Sequence, residues 1–168
     1  IFGFTSLIYK ALLTQNSTNK DKINLSNGIL IHGGGWKKLE KQKVSNSLFK
    51  KYIKKKFKIK KIHNYYGMIE QIGSVFFECE KGFFHTSVLN DIIVRKNDGK
   101  VLENKKSGII QLLSILPTSY PGHNILTEDV GSIIGENNCI CGRKGKYFKV
   151  YGRVEKAEVR GCSNVIHN

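Results

Sequence analysis

A short apolar run, Ile29-Leu30-Ile31, ends in His32-Gly33-Gly34-Gly35-Trp36, and an amphipathic stretch followed by a second apolar run comes directly after it. That order constrains the fold more than any other feature. The first run reads as a buried strand entering a tight loop. From Trp36 to Lys56 the spacing predicts a helix with Leu48, Phe49, Tyr52 and Ile53 on one face and lysines on the other. Phe57, Ile59 and Ile62 then suggest a second strand leading to Tyr65-Tyr66-Gly67. Strand, loop, helix, strand is the α/β pattern.

From Ser74 the text changes. Val75 to Phe77, Phe83 to Val88, Asp91 to Arg95, Ile109 to Leu116, Val130 to Ile134 and Tyr147 to Val150 read as short strands, with a turn at Asn97-Asp98-Gly99. The expected architecture is a strand–helix–strand part over about residues 1–73 and a β-rich part over about 74–168.

With 40% apolar residues in 168, the chain can build a core and is not disordered. No apolar run approaches the roughly 18 residues of a membrane span. The Ile1 to Leu13 stretch lacks the basic leader and cleavage site of a signal peptide. The chain opens on Ile1-Phe2-Gly3-Phe4, without Met, which reads as the interior of a fold, so a truncated start is expected. The net charge of +15 raises nucleic acid as a partner. Against that, arginine occurs only at 95, 143, 153 and 160, whereas base readout and bidentate phosphate contacts favour arginine. The Lys37 to Lys61 cluster reads better as a solvated helix face, which leaves a basic nucleic-acid-binding module as a remote alternative. Four cysteines without an export signal point to a cytoplasmic location and reduced thiols.

Four loops could hold a nucleotide. Gly33, Gly34 and Gly35 allow close backbone approach before a helix N-terminus, although such turns are often purely structural. In Tyr65-Tyr66-Gly67-Met68-Ile69-Glu70-Gln71 an aromatic ring can face a base, and the Glu70 carboxylate can hold Mg²⁺. Asp129, in Leu126-Thr127-Glu128-Asp129-Val130-Gly131, could accept both ribose hydroxyls from a loop before a strand, or belong to an ordinary acidic turn. The Gly152-Arg153 step could place a guanidinium on ribose or phosphate.

Taken in order, Tyr66 to Gln71, Thr127 to Gly131 and Gly152-Arg153 resemble the core motifs of adenylate-forming enzymes, a group that includes acyl-CoA synthetases and phenylacetate-CoA-ligase-like proteins. A closer resemblance is to the acyl-protein synthetase family, the fatty-acid-activating component of the bacterial luminescence fatty acid reductase. It runs through His32 to Lys38, Tyr66 to Gln71, Ser119-Tyr120-Pro121-Gly122-His123, Leu126 to Asp129, Cys139-Ile140-Cys141-Gly142-Arg143 and Gly152 to Ser163. Ile69 stands where the wider superfamily carries a phosphate-contacting threonine, so the match is to the narrower family.

The resemblance implies the C-terminal portion of an adenylate-forming domain. It implies ATP and Mg²⁺ as cofactors and a fatty acid as substrate. It also implies transfer of the acyl group to a thiol, with a reductase and an acyltransferase as partners. Carried over by motif, Gly33 to Gly35, Tyr66 and Gly67 would line the adenine pocket, Glu70 would bind Mg²⁺, Asp129 the ribose, and Arg153 the ribose or phosphate. Cys162, in Arg160-Gly161-Cys162-Ser163, would accept the acyl group, helped by the charge of Arg160. A ligase of the phenylacetate-CoA type, using a diffusible thiol, is the alternative. His123, just before the Asp129 segment, would sit near the nucleotide.

Cys79, His85, Cys139 and Cys141 make a Cys-x₅-His plus Cys-x-Cys set, a donor combination suited to a closed structural Zn²⁺ site. The spacing is loose and fits buried thiols and a surface histidine equally well. Phenylacetate-CoA-ligase-like proteins carry a similar arrangement, and that resemblance implies zinc.

Overall fold

The computed structural model describes residues 1–14 and 24–154. Two sheets carry the fold. In the first, β1 (Phe2–Phe4), β2 (Ile29–Gly33) and β3 (Lys61–Tyr66) are parallel, and β4 (Phe76–Phe77) closes the order β1-β2-β3-β4 antiparallel to β3. Phe4 pairs with Gly33, and Gly33 with Tyr65, so the carboxyl ends of the three parallel strands lie side by side. A short helix α1 (Thr5–Ile8), continued by π-helical turns over Tyr9–Thr14, follows β1.

Helix α2 (Asn46–Phe57) covers this sheet, burying Phe49, Ile53 and Phe57 against Leu30, Ile59, Ile62, Ile8 and Trp36. Each such side chain contributes about 1.5–3 kcal/mol. The expected helix over Trp36–Lys56 is in fact two pieces. A 3₁₀ segment spans Lys37–Gln42, and Lys43 leaves it with an extended ψ of 129°. Ser45 then starts α2 afresh, its hydroxyl accepting from the Leu48 N–H at 3.2 Å. A serine that satisfies an orphan N–H is a better helix start than a helix interior. The expected second strand also begins later: Phe57 ends the helix, Ile59 is a buried linker residue, and only Lys61–Tyr66 is strand. Lys51, Lys54 and Lys55 form an exposed, solvated face, while Lys50 turns inward to the Glu78 carboxylate.

The second sheet is antiparallel, with order β5-β9-β8-β7-β6. Its strands are β5 (Phe84–His85), β6 (Asn90–Arg95), β7 (Gly108–Ser114), β8 (Asn124–Glu136) and β9 (Lys146–Arg153). Strict alternation along β6 turns Ile92 and Val94 inward, where they meet Ile110, Leu112, Ile133, Phe84 and Phe148. The turn at Asn97-Asp98-Gly99 is present, with Gly99 at φ 84°.

Phe76 belongs to the first sheet by hydrogen bonding but packs in the core of the second, edge-on to Phe148 with 5.2 Å between ring centroids. The two sheets are thereby joined at β4. No helix among the described residues is long and apolar enough to cross a membrane.

Candidate functional site

Parallel strands present their carboxyl ends to one crevice, where open α/β sheets bind ligands. Two of the sequence-derived segments lie there. Gly33 ends β2, and its backbone is so close to Tyr65 that a Cβ would meet the ring at 2.6 Å and the carbonyl oxygen at 2.7 Å. Gly34 follows at φ 76°, and among the described residues nothing lies within 4 Å of a Cβ on Gly35. His32, beside it, points the other way. It is 1% exposed, with Nδ1 2.9 Å from the Thr5 hydroxyl and its ring against Phe49.

Tyr66 ends β3. Its half-buried ring lies among Phe76, Phe84 and Phe148, and its hydroxyl donates to Asp129 Oδ2 at 2.6 Å. Asp129 sits inside β8, where a loop had been expected. Its backbone N–H donates to the Thr127 hydroxyl at 3.0 Å, and that hydroxyl donates to the Ile110 carbonyl at 2.8 Å. Arg153 is directly opposite Asp129 on β9, with Nε 4.0 Å from Asp129 Oδ1 and a terminal nitrogen donating to Glu128. Burial raises the Asp129 pKa, opposed by the Tyr66 hydrogen bond and the Arg153 charge. Burial and then the Asp129 charge raise that of Tyr66, which therefore stays protonated. Three segments far apart in sequence thus converge on one carboxylate.

Glu70 lies exposed on the loop after β3, with its charge close enough to bear on Asp129. His123 instead lines an open groove of about 630 Å³ beside Thr86, Asp91, Ser114 and Lys146, whose lining includes none of Tyr66, Asp129 or Arg153. Cys162 and Arg160 fall outside the described residues.

Two polar residues at this end of the fold gave little signal as individuals. Gln71 is fully buried and Tyr120 partly exposed, and both tie the Glu70 loop to its surroundings. They were visible only as members of longer motifs.

The second cluster is compact. Ligand atoms of Cys79, His85, Cys139 and Cys141 lie within 4.8 Å of one another, and His85 Nε2 is 3.5 Å from Cys141 Sγ. Cys79 lies between β4 and β5, and the other two thiols lie in the β8–β9 loop. Burial pushes the Cys139 thiol up to about 11. Burial acts in the same sense on Cys141, but hydrogen bonds from the Arg143 N–H and the neighbouring thiols outweigh it and draw that pKa down. Burial and the nearby Arg143 charge lower the His85 pKa, so its imidazole is neutral at neutral pH. Three sulfurs and one neutral imidazole at this separation fit a tetrahedral Zn²⁺ ion.

The architecture is that of a partial adenylate-forming enzyme. Similar solved structures are ATP-bound MatB from Rhodopseudomonas palustris (16% identity, TM-score 0.57, 90% of this chain, 30% of that one), a luciferase-like enzyme from the nonluminescent mealworm Zophobas morio (15%, 0.60, 94% and 38%), and a benzoate CoA ligase from Burkholderia xenovorans LB400 (13%, 0.57, 90% and 30%). The chain spans about a third of the length of these structures, and at such identity the likeness speaks for the fold alone. The profile of the family "Acyl-protein synthetase, LuxE" matches residues 1–168, and the chain belongs to that family. No curated protein matches it.

Proposed function

We propose that this chain is the nucleotide-binding C-terminal portion of an enzyme that activates a fatty acid with ATP and passes the acyl group to the Cys162 thiol. The observation that carries the reading is the Tyr66–Asp129 hydrogen bond with Arg153 opposite on β9.

In this reading, Gly33 to Gly35, Tyr66 and Gly67 line the adenine. Asp129, with one oxygen already held by Tyr66, takes the ribose hydroxyls through its remaining acceptor capacity. Arg153 reaches ribose or phosphate. Glu70 holds Mg²⁺, which when bound stabilises charge growing on the phosphates.

A fatty acid carboxylate oxygen attacks the α-phosphorus, the bond to pyrophosphate breaks, and an acyl-adenylate remains. The Cys162 thiolate then attacks the acyl carbonyl carbon, forming the thioester and expelling AMP. A reductase and an acyltransferase are the partners this chemistry would serve. Cys79, His85, Cys139 and Cys141 hold a structural Zn²⁺ that pins the β4–β5 connection to the β8–β9 loop.

The test is ATP–pyrophosphate exchange across a panel of fatty acids, in the protein as the cell produces it. Fatty-acid-dependent exchange, with hydroxylamine-sensitive label on the protein that Cys162→Ser removes while exchange survives, is the expected result. Label on added CoA and none on the protein would favour a CoA ligase. Absence of exchange in a folded protein would overturn the reading.

A further inference from the structure

The loop between β3 and β4 carries Glu70 with little regular structure of its own. Its internal backbone bonds are two turns, Gln71 N–H to Met68 O and Ser74 N–H to Gln71 O, both 3.2 Å. Where the carboxylate sits therefore depends on what ties the loop to the sheets. Two side chains do so by hydrogen bonds, beside the packing of Met68 against the core of the second sheet, and both lead to the segment between β7 and β8. Gln71, with no exposed surface, donates its amide to the Gly122 carbonyl at 2.9 Å and faces the Leu112 carbonyl on β7 at 3.4 Å. The Tyr120 hydroxyl donates to the Glu70 carbonyl at 2.8 Å and accepts from the Ile72 N–H at 3.3 Å. One phenol oxygen thus spans the residues on either side of Gln71.

Tyr120 is itself seated closely. A Cβ on Gly122 would lie 2.2 Å from the ring, so only glycine lets the ring fold over the chain at that point. The Gly122 N–H in turn donates to the Tyr120 carbonyl at 2.7 Å.

We infer that Tyr120 and Gln71 are positioning residues for Glu70: together they fix the loop that aims its carboxylate at the metal–nucleotide complex. The inference rests on the proposed reading of Glu70 as the Mg²⁺-facing acid. The clamp does not touch the nucleotide. Its loss loosens the metal step and spares contacts made through Asp129 and Arg153, since small displacements of a positioned group are costly to function.

The experiment measures binding of a fluorescent ATP analogue against Mg²⁺ concentration, with metal-free AMP binding and thermal unfolding measured alongside. It uses the protein as the cell produces it, and compares the unaltered protein with Tyr120→Phe, Gly122→Ala and Glu70→Gln. Tyr120→Phe keeps the ring and removes one oxygen of a partly exposed residue, so it leaves the fold intact. The Mg²⁺ concentration for half-maximal binding should rise at least roughly 3-fold, because both hydrogen bonds of the phenol oxygen are lost. AMP binding should not change. Gly122→Ala, which displaces the ring, should reproduce the shift. A Mg²⁺ curve sensitive to Glu70→Gln but unmoved by Tyr120→Phe and Gly122→Ala overturns the inference and leaves the reading of Glu70 standing. A curve insensitive to Glu70→Gln overturns both.

Discussion

The Tyr66 hydroxyl donates to the Asp129 carboxylate at 2.6 Å across 63 residues of chain, joining the end of β3 in one sheet to the middle of β8 in the other. Because burial and the Asp129 charge keep the phenol protonated, this donor persists through the physiological range. It also opposes the burial that raises the Asp129 pKa. Tyr66→Phe should therefore cost about 1.5–3 kcal/mol, the range for a hydrogen bond to a charged group. It should also raise the Asp129 pKa further, since a contact that favours the charged form is gone. Nucleotide binding that needs the Asp129 carboxylate is lost as pH falls through that pKa, so the acid limb of a binding-versus-pH curve should move to higher pH. Binding titrations from pH 4 to 8, with urea unfolding of the same proteins, measure both effects. An acid limb that stays in place would separate Asp129 from nucleotide binding.

For the sulfur-rich cluster the expected outcome is about one Zn per chain, as for a closed structural site. Removing the ion should cost about 4 kcal/mol when free metal stands a thousandfold above its Kd. For a domain of this size that lowers the unfolding midpoint by roughly 8–16 °C. Cys139→Ser should lose the metal and show the same deficit without chelator. Elemental analysis with thermal unfolding, before and after chelation, is the measurement. A metal-free protein that melts at the same temperature as one supplied with Zn²⁺ would remove the site.

How much of this was legible beforehand differs by residue. Tyr66, Asp129 and Arg153 each stood out as parts of ordered motifs, and the structure brings them together. The direct bond between two of them was not legible, because it depends on how the two sheets pack through Phe76 and Phe148. Asp129 was expected in a loop before a strand, yet it pairs with Arg153 on β9, and Thr127–Asp129 form the bulge between Leu126 and Val130 in the β7–β8 pairing, which makes that segment part of a strand. The break before α2 was missed because the apolar spacing continues past it. The signal was Ser45, a capping residue three positions before the N–H it satisfies. Cys79 and Cys139 to Cys141 are 60 residues apart, and their approach to His85 follows from strand order that no local pattern displays.

His32 gives a prediction in pH. Burial, and then the Lys50 charge, lower its pKa from 6.5 to about 4. Thr5 directs its single proton to the Gly33 carbonyl at 3.0 Å, so His32 Nδ1 is the donor in the Thr5–His32 bond, and the ring is neutral. Between pH 6.5 and 4 the unfolded chain takes up a proton on this residue that the folded chain does not. Stability from this source is thus fully present above about pH 6.5 and is lost as pH falls towards 4, by about 3 kcal/mol in all. Urea unfolding at intervals from pH 4 to 7 should show that slope, and His32→Gln should flatten it. An unchanged slope in the variant would assign the acid sensitivity elsewhere.

Glu78 offers a sharper contrast. Its carboxylate is 3% exposed as a residue and receives the Lys50 ammonium and the Asn46 amide, each at 2.6 Å, together with the Asn64 N–H at 3.2 Å. Helix α2 is thereby bolted to β3 at the residue preceding Cys79. The two halves of the ion pair are not equivalent. Removing Lys50, whose side chain is 19% exposed, leaves a carboxylate that still has two donors. Removing Glu78 leaves a partly buried ammonium, an amide and a backbone N–H without their acceptor. Glu78→Leu should therefore cost about 3–5 kcal/mol, because one half of the ion pair and two further donors lose their acceptor together. Lys50→Met, which keeps the aliphatic packing, should cost about 1–3 kcal/mol. Chemical unfolding of the two variants decides the order. Equal costs would mean that the ion pair alone sets the energy and that the Asn46 and Asn64 contacts add nothing to it.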